Sequence, residues 1–336
     1  MIFVTADVHN CMSYGHPCCR DFDEPAAALK YATIAAGEGI KVTLFATGKA
    51  VLESAATFRK LAELPNVELG GHGWDSFCNP KVRTLLWSLS GSRHGPRWHQ
   101  RLDVHRTVSA FRSVLDRRPI SWRQHAFYTD EHSYSLLKEV GVRVVSDRVV
   151  SEHLAECAWA SQAIEKMDSG LWSLPINIIP DHDSVEHGGL DQARMDMTVQ
   201  RWRNAGGREN SSSMGRRAAT ILRKIFSRVQ NIDILPWSGE IMYAEKGMRV
   251  LSASAWERSV MEQIEMQLLQ SGFVTLLLHP VCMELLDGMA AFRRIMARCR
   301  QIETHFVSDV CVRPGSSAAK IGRSSKFGNT ACEAHA

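Results

Sequence analysis

The sequence predicts an α/β fold built on parallel strands, and three observations predict it. Apolar runs of strand length alternate with segments of helical period from the first residues onward. Their order is β-α-β-α-β, which calls for parallel strands joined by right-handed crossovers. Three of the runs end on an imidazole: Ile2 to Val8 before His9, Val67 to Gly71 before His72, and Val274 to Leu278 before His279. Ligands and catalytic groups collect at the carboxyl ends of strands in such sheets. The 336 residues are 45% hydrophobic, enough apolar material for one domain of about 250–300 residues.

The elements follow in order. The first strand carries Asp7 and His9 two positions apart, so both leave the same face. Pro25 opens an alanine-rich helix over 26–39, closed by Gly37 and Gly39. Residues 41–45 form the second strand, 48–64 a second helix stopped by Pro65, and 67–71 the third strand. The Gly70-Gly71 pair reads as a point where the backbone bends sharply before His72. Residues 79–98, with Trp87, Trp98 and two prolines, are expected as an irregular excursion. A helix over 102–115, a strand over 120–123, a helix over 131–140 and a strand over 142–146 resume the alternation. Residues 171–179 are expected as a strand running into Asp181, and 184–245 as an irregular insertion. A helix over 256–270, the strand ending at His279, a helix over 289–302 and a last strand over 307–312 complete the domain, 1–312. A disordered tail is expected over 313–336, where apolar periodicity fails.

Composition excludes several classes. The net charge is +4 with Lys and Arg spread along the chain, and the densest cluster, Arg216-Arg217 with Arg223-Lys224, reads as a solvated helix face. No nucleic-acid partner is expected. No run approaches the roughly 18 apolar residues of a membrane span. Nine cysteines without repeated Cys-x-x-Cys spacing suit a reducing compartment, and with no basic-then-apolar start the expected location is cytoplasmic. Cys18-Cys19 beside His16 are read as loop thiols.

The candidate chemistry gathers at the strand ends. His72 and Asp75, three residues apart, share a face if the chain enters a helical turn there, and His9 would complete a His/His/carboxylate set for Zn²⁺ or, among other divalent metals, Co, Ni or Mn. Asp7 reads either as a strand-end acid that caps the following loop or as a general base beside such a metal. His279 is the candidate acid for a leaving amine. Arg123 ends a buried-looking strand and needs an acidic partner, for which Asp7 and Asp181 are the candidates.

In order, Thr-x-Asp-x-His, Gly-Gly-His-Gly-Trp-Asp, Trp-Arg-x-His, Leu-Leu-Lys-Glu-Val-Gly-Val-Arg-Val-Val-Ser-Asp and Leu-Leu-Leu-His-Pro resemble the NodB-type polysaccharide deacetylases, a carbohydrate esterase family, over roughly residues 1–300. The resemblance implies an irregular (β/α) barrel of about seven parallel strands and a metal-dependent hydrolase that removes acyl groups from sugars. It places Asp7 as general base, His9 at the acidic metal-ligand position, His72 as the first His of His-x-x-x-His, Arg123 in the Arg-x-Pro motif, and His279 in the Leu-His motif. Asp181 or Asp183 matches a late acidic residue near the site, and Asp181 is taken as substrate-binding. The chain departs from the pattern at three places. Ser76 stands where the second ligand His belongs, His9 replaces an acid, and Gln124-His125 follows Arg123 in place of a residue and Pro. Rebuilding the ligand set as His9, His72 and Asp75 keeps the chemistry coherent. Trp74 and Phe127 are expected as an apolar wall for the acyl methyl or sugar face. The expected partner is a small-molecule or glycan substrate. A relative that has lost its metal and only binds carbohydrate or a protein partner is the alternative reading.

Overall fold

The computed structural model describes residues 1–10, 22–75, 80–92, 94–127, 129–149, 163–178, 181 and 253–311. The expected insertion over 184–245, the tail over 313–336, Ser76 and Asp183 lie outside them. Among the described residues eight strands form one sheet: β1 Ile2–Val8, β2 Val42–Ala46, β3 Val67–Gly71, β4 Ser121–Trp122, β5 Val144–Val145, β6 Glu165–Lys166, β7 Trp172–Ser173 and β8 Val274–Leu277. Their order is β6-β7-β5-β4-β3-β2-β1-β8, and every neighbouring pair is parallel except β6 with β7. The helices are α1 Glu24–Gly37, α2 Gly48–Glu53, α3 Ala55–Glu63, α4 Pro80–Ser90, α5 Arg97–Leu115, α6 Glu131–Glu139, α7 Ala253–Ser271, α8 Pro280–Asp287 and α9 Ala290–Cys299. None is long and apolar enough to cross a membrane.

Strand β1 is buried on both faces, and its period-two alternation sorts the two sides of the sheet. Ile2, Val4, Ala6 and Val8 pack outward with Ala28, Tyr31, Ala35, Phe292 and Met296 of the helical layer. Phe3 points the other way, into a cluster with Phe45, Val144, Leu174, Phe273 and Val307, drawn from both ends of the sheet. The sheet is therefore curled around an interior, as expected for an irregular (β/α) barrel. Its closure uses side chains. Asn177 donates from Nδ2 to the Phe273 carbonyl at 3.1 Å and accepts the Thr275 N–H at 2.8 Å, so one amide side chain serves β8 as a strand backbone would.

Helix ends follow local chemistry. The Asp23 carboxylate accepts the Ala26 N–H at 3.0 Å to cap α1, and Asp130 with Ser133 forms a capping box on α6. Three expectations are corrected. The single helix over 48–64 breaks at Ser54 into α2 and α3. Within the supposed irregular excursion, Pro80 opens α4; Val82, Leu85, Leu86 and Leu89 recur at helical spacing, with Leu86 buried and Leu85 and Leu89 exposed. The expected last strand is a short 3-10 helix, Val307–Cys311. The chain bridges β1 just before this segment, Ile2 with Thr304, but from Val4 onward that edge belongs to β2, and the Val307 and Ser308 N–H groups bond to the side chains of Thr43 and Glu68. The extended segments over 120–123, 142–146 and 171–179 contain only the two-residue ladders β4, β5 and β7, with one further bridge from Ile176 to Val149. Helix α8, directly after His279, was not foreseen.

The Gly70-Gly71 pair also has a different cause from the one expected. Both glycines continue β3. A Cβ on Gly71 would lie 2.2 Å from the Trp122 ring, and one on Gly70 would lie 2.6 Å from the Phe45 ring. The pair is required by packing of large side chains on neighbouring strands. Gly71→Ala is expected to destabilise the protein by about 3 kcal/mol in denaturant unfolding. Gly37→Ala, where no atom lies within 4 Å of the added Cβ, should leave stability unchanged or slightly raised.

Candidate functional site

The inward face of β1 continues from Phe3 through Thr5 and Asp7 to His9, so the barrel interior passes from apolar to charged toward the carboxyl ends of the strands. Arg123, immediately after β4, is fully buried with its guanidinium 4.4 Å from the Phe45 ring centre. It donates to Asp7 Oδ1 at 2.9 Å, to Thr5 Oγ1 at 2.8 Å, to Ser146 Oγ at 2.9 Å and to the Ser146 carbonyl at 2.8 Å. Of the two acids considered as its partner, the ion pair is with Asp7.

The other oxygen of Asp7 lies 3.6 Å from Nε2 of His72 and 3.6 Å from Nε2 of His279. Burial alone would raise the Asp7 carboxyl, but the charges of His72 and Arg123 and the hydrogen bond and charge of His279 hold it well below the usual carboxylate range. Burial pulls His72 down to about 3, against the attraction of Asp7 and with help from His9 and Arg123. Burial also disfavours charge on His279, yet the charge and hydrogen bond of Asp181, joined by Asp7, raise its imidazole well above the ordinary value. Asp181 accepts the His279 ring at Nδ1 (2.7 Å) and the His279 backbone N–H (2.5 Å) and has no exposed surface. It therefore holds His279, and it is fully buried.

His9 and His72 meet at the same end. Nε2 of His9 is 3.2 Å from Nε2 of His72 and 3.2 Å from Nδ1 of His125, and the latter two are 3.3 Å apart. All three rings are buried. This spacing suits a divalent cation: ligand bonds of about 2.0–2.1 Å in a tetrahedral site put donors about 3.3–3.4 Å apart. The nitrogen triangle, together with the buried Asp181–His279–Cys282 group, is what the described residues offer as a metal-sized cluster.

Asp75, expected as the third ligand, is not among the donors that converge there. It lines an outer cleft with Trp74, His99, Leu102, Asp103 and Arg106, and Arg106 sits 5.6 Å from the Trp74 ring centre. The chain leaves β3 through Gly73 at φ 82°, which turns Trp74 and Asp75 away from the interior. Asp103 fixes this turn. It accepts the Trp74 N–H at 2.8 Å and lies 3.4 Å from Gln124 Nε2 and 3.3 Å from His94 Nε2, tying the loop after His72 to the residue before His125. Phe127 shares the turn of His125, where Ala126 and Phe127 hold φ values of 55° and 58°. Left-handed backbone at two successive non-glycine residues costs roughly 1–2 kcal/mol each, and such strain clusters where a side chain must be aimed.

Sequence reasoning missed His125 as a member of the cluster. The signal was present, because Arg123-x-His125 repeats the spacing of Asp7-x-His9 at the end of another strand. Glu24 carries no comparable signal. It reaches His9 Nδ1 at 3.2 Å from the first turn of α1, fifteen positions along the chain.

No protein-family model matches this chain, and no curated protein matches it. Among solved structures, a protein from Mycobacterium smegmatis assigned as a polysaccharide deacetylase aligns over 91% of this chain and 85% of its own length, with 16% identity and a TM-score of 0.55. A family 4 carbohydrate esterase from Streptomyces lividans aligns over 89% and 88%, with 11% identity and a TM-score of 0.42. The first likeness is one of fold: the chain has the fold of a polysaccharide deacetylase, as its motif order suggested.

Proposed function

We propose that this chain is a divergent polysaccharide deacetylase-like hydrolase, dependent on a divalent metal, that removes an N-acyl group such as acetyl from an amino sugar or sugar-bearing molecule. One observation carries the reading. A buried carboxylate, Asp7, is clamped on one oxygen by Arg123 and faces two imidazoles with its other oxygen, His72 from the metal-sized cluster and His279 from a separate acidic pair. Base, cation site and acid thus meet at the carboxyl ends of three strands.

His9 and His72 hold the metal in this reading, and when bound it supplies the Lewis acidity that makes a nearby water more acidic. Asp7, kept anionic, accepts the proton as that water attacks the acyl carbon. Arg123 keeps Oδ1 engaged and so presents Oδ2 in one orientation. His279, kept protonated by Asp181 and Asp7, delivers a proton to the departing nitrogen. The C–N bond breaks, the acyl group leaves as its acid, and the free amine remains. Phe127 supplies apolar surface beside the turn that carries His125, while Trp74 lines the outer cleft.

The test is amine release from N-acetylglucosamine derivatives by the full chain of known metal content, beside Asp7→Asn and His279→Ala. Activity in the parent and its loss in both variants is the expected result; equal rates in all three, or no activity and no retained metal in the parent, would overturn it. The pH profile gives a second prediction. Because the His279 value is raised in the folded protein, the rate should persist well above pH 6.5 and fall only as the pH passes that raised value. Asp181→Asn removes the main support, so the alkaline limb should move to lower pH.

A further inference from the structure

The geometry points to a metal site made of three neutral imidazoles, His9 Nε2, His72 Nε2 and His125 Nδ1, that takes borderline cations such as Zn²⁺ and Co²⁺ and discriminates against Mg²⁺, Ca²⁺ and Mn²⁺. It deepens the proposed function by naming the ligand set and the cation class, and it rests on that reading for the presence of a metal.

Hydrogen bonding on the far side of two rings decides which nitrogen is left to bind. A carboxylate only accepts, so His9 Nδ1 carries a proton toward Glu24, whose oxygens lie 3.2 and 3.3 Å away. A carbonyl only accepts, so His72 Nδ1 carries a proton toward the Arg123 carbonyl at 2.7 Å. In each neutral ring the Nε2 lone pair is then the free one, and both lone pairs turn to the point that His125 Nδ1 also faces. Partners of this kind orient imidazole ligands and raise their basicity.

Among the described residues no carboxylate joins the triangle. Asp7 gives one oxygen to Arg123 and keeps the other 3.6 Å from His72 Nε2, Glu24 acts behind His9, and Asp75 lies in the outer cleft. Imidazole donors suit Zn²⁺, Co²⁺, Ni²⁺ and Cu²⁺, whereas Mg²⁺, Ca²⁺ and Mn²⁺ favour oxygen. A set of three imidazoles leaves the full double charge of the cation beside Asp7, and a fourth position open.

The experiment strips the full chain with a chelator and titrates it with Zn²⁺, Co²⁺, Mn²⁺ and Mg²⁺ separately, reading affinity by competition and the visible spectrum of the Co²⁺ form. Zn²⁺ and Co²⁺ should bind at one equivalent, at least about 100-fold more tightly than Mn²⁺ or Mg²⁺, with the intense visible bands of a four-coordinate nitrogen site. His125→Gln should weaken Zn²⁺ by about 100-fold or more, with the stripped variant unfolding at nearly the parent temperature, while Asp75→Asn stays within about threefold. Equal weakening by Asp75→Asn, a weak six-coordinate Co²⁺ spectrum in the parent, or Mn²⁺ bound as tightly as Zn²⁺ would each overturn the ligand set. The Co²⁺ spectrum of the parent decides the matter even if His125→Gln fails to fold. Tight Zn²⁺ lost in His125→Gln, without amine release from any acylated sugar, would sink the proposed reaction and leave the ligand set standing.

Discussion

Asp7→Asn is expected to lower the deacylation rate by about 10²- to 10⁴-fold, the range ascribed to general acid–base catalysis. The amide keeps the shape and hydrogen-bonding reach of the carboxylate but cannot take a proton from water. Metal content should be unchanged, because Asp7 lies outside the nitrogen triangle, and that measurement separates lost chemistry from lost metal. The same change leaves Arg123 as a fully buried cation without its anion, which should cost about 3 kcal/mol of stability. A variant that keeps its parent's rate at equal metal loading would remove Asp7 from the reaction. The pH dependence of stability has a definite sign. The Asp7 value is depressed on folding, so the stability it supplies is fully present above the unfolded carboxylate value of about 3.9 and is lost as pH falls through the lower folded value. Chelator-treated parent protein should therefore lose stability below about pH 4 more steeply than chelator-treated Asp7→Asn.

Arg123→Gln should give the largest loss of stability, about 3–5 kcal/mol in denaturant unfolding. Its guanidinium serves four acceptors at 2.8–2.9 Å with no exposure to water, and glutamine can meet at most two of them while leaving Asp7 as an unpaired buried anion. Arg123→Lys should recover only part of the loss, since a single ammonium cannot span Thr5, Asp7 and Ser146 with the planar fork of arginine. The double variant Asp7→Asn/Arg123→Gln should be less destabilised than the sum of the two single changes, because each alone strands the other's charge. Additivity within a few tenths of a kcal/mol would show that the pair is not coupled.

The legible parts of this chain were those that depend on local pattern. The alternation in 2–9 placed Asp7 and His9 on one face, and the structure brings both to the same end of the barrel. The buried arginine after β4 needed an acid, and sequence narrowed that acid to Asp7 or Asp181. Pro25 with Gly37 and Gly39 marked the two ends of α1, and Pro65 the end of α3. The errors have physical causes. The helix α4 carried the helical spacing of Val82, Leu85, Leu86 and Leu89, but the prolines and tryptophans over 79–98 made the segment look irregular. The last segment had strand composition, but the pairing with β1 stops at the Ile2–Thr304 bridge, because β2 holds that edge from Val4 onward. Gly70 and Gly71 looked like a bend because their neighbours Phe45 and Trp122 stand on other strands, out of reach of any local reading. Asp75 had ligand spacing, but a left-handed Gly73 turned it outward.

By itself the sequence determined the α/β alternation, the inward and outward faces of its strands, and the set of acids and imidazoles placed at strand ends, because each follows from periodicity along a few consecutive residues. The tertiary structure decided which of them are neighbours: Asp7 with Arg123, Asp181 with His279, Glu24 behind His9, and His125 in the place sought for Asp75. Those pairings depend on how the sheet curls and on which loops turn inward, and contacts between residues about 15 to 116 positions apart are set by packing of the whole barrel.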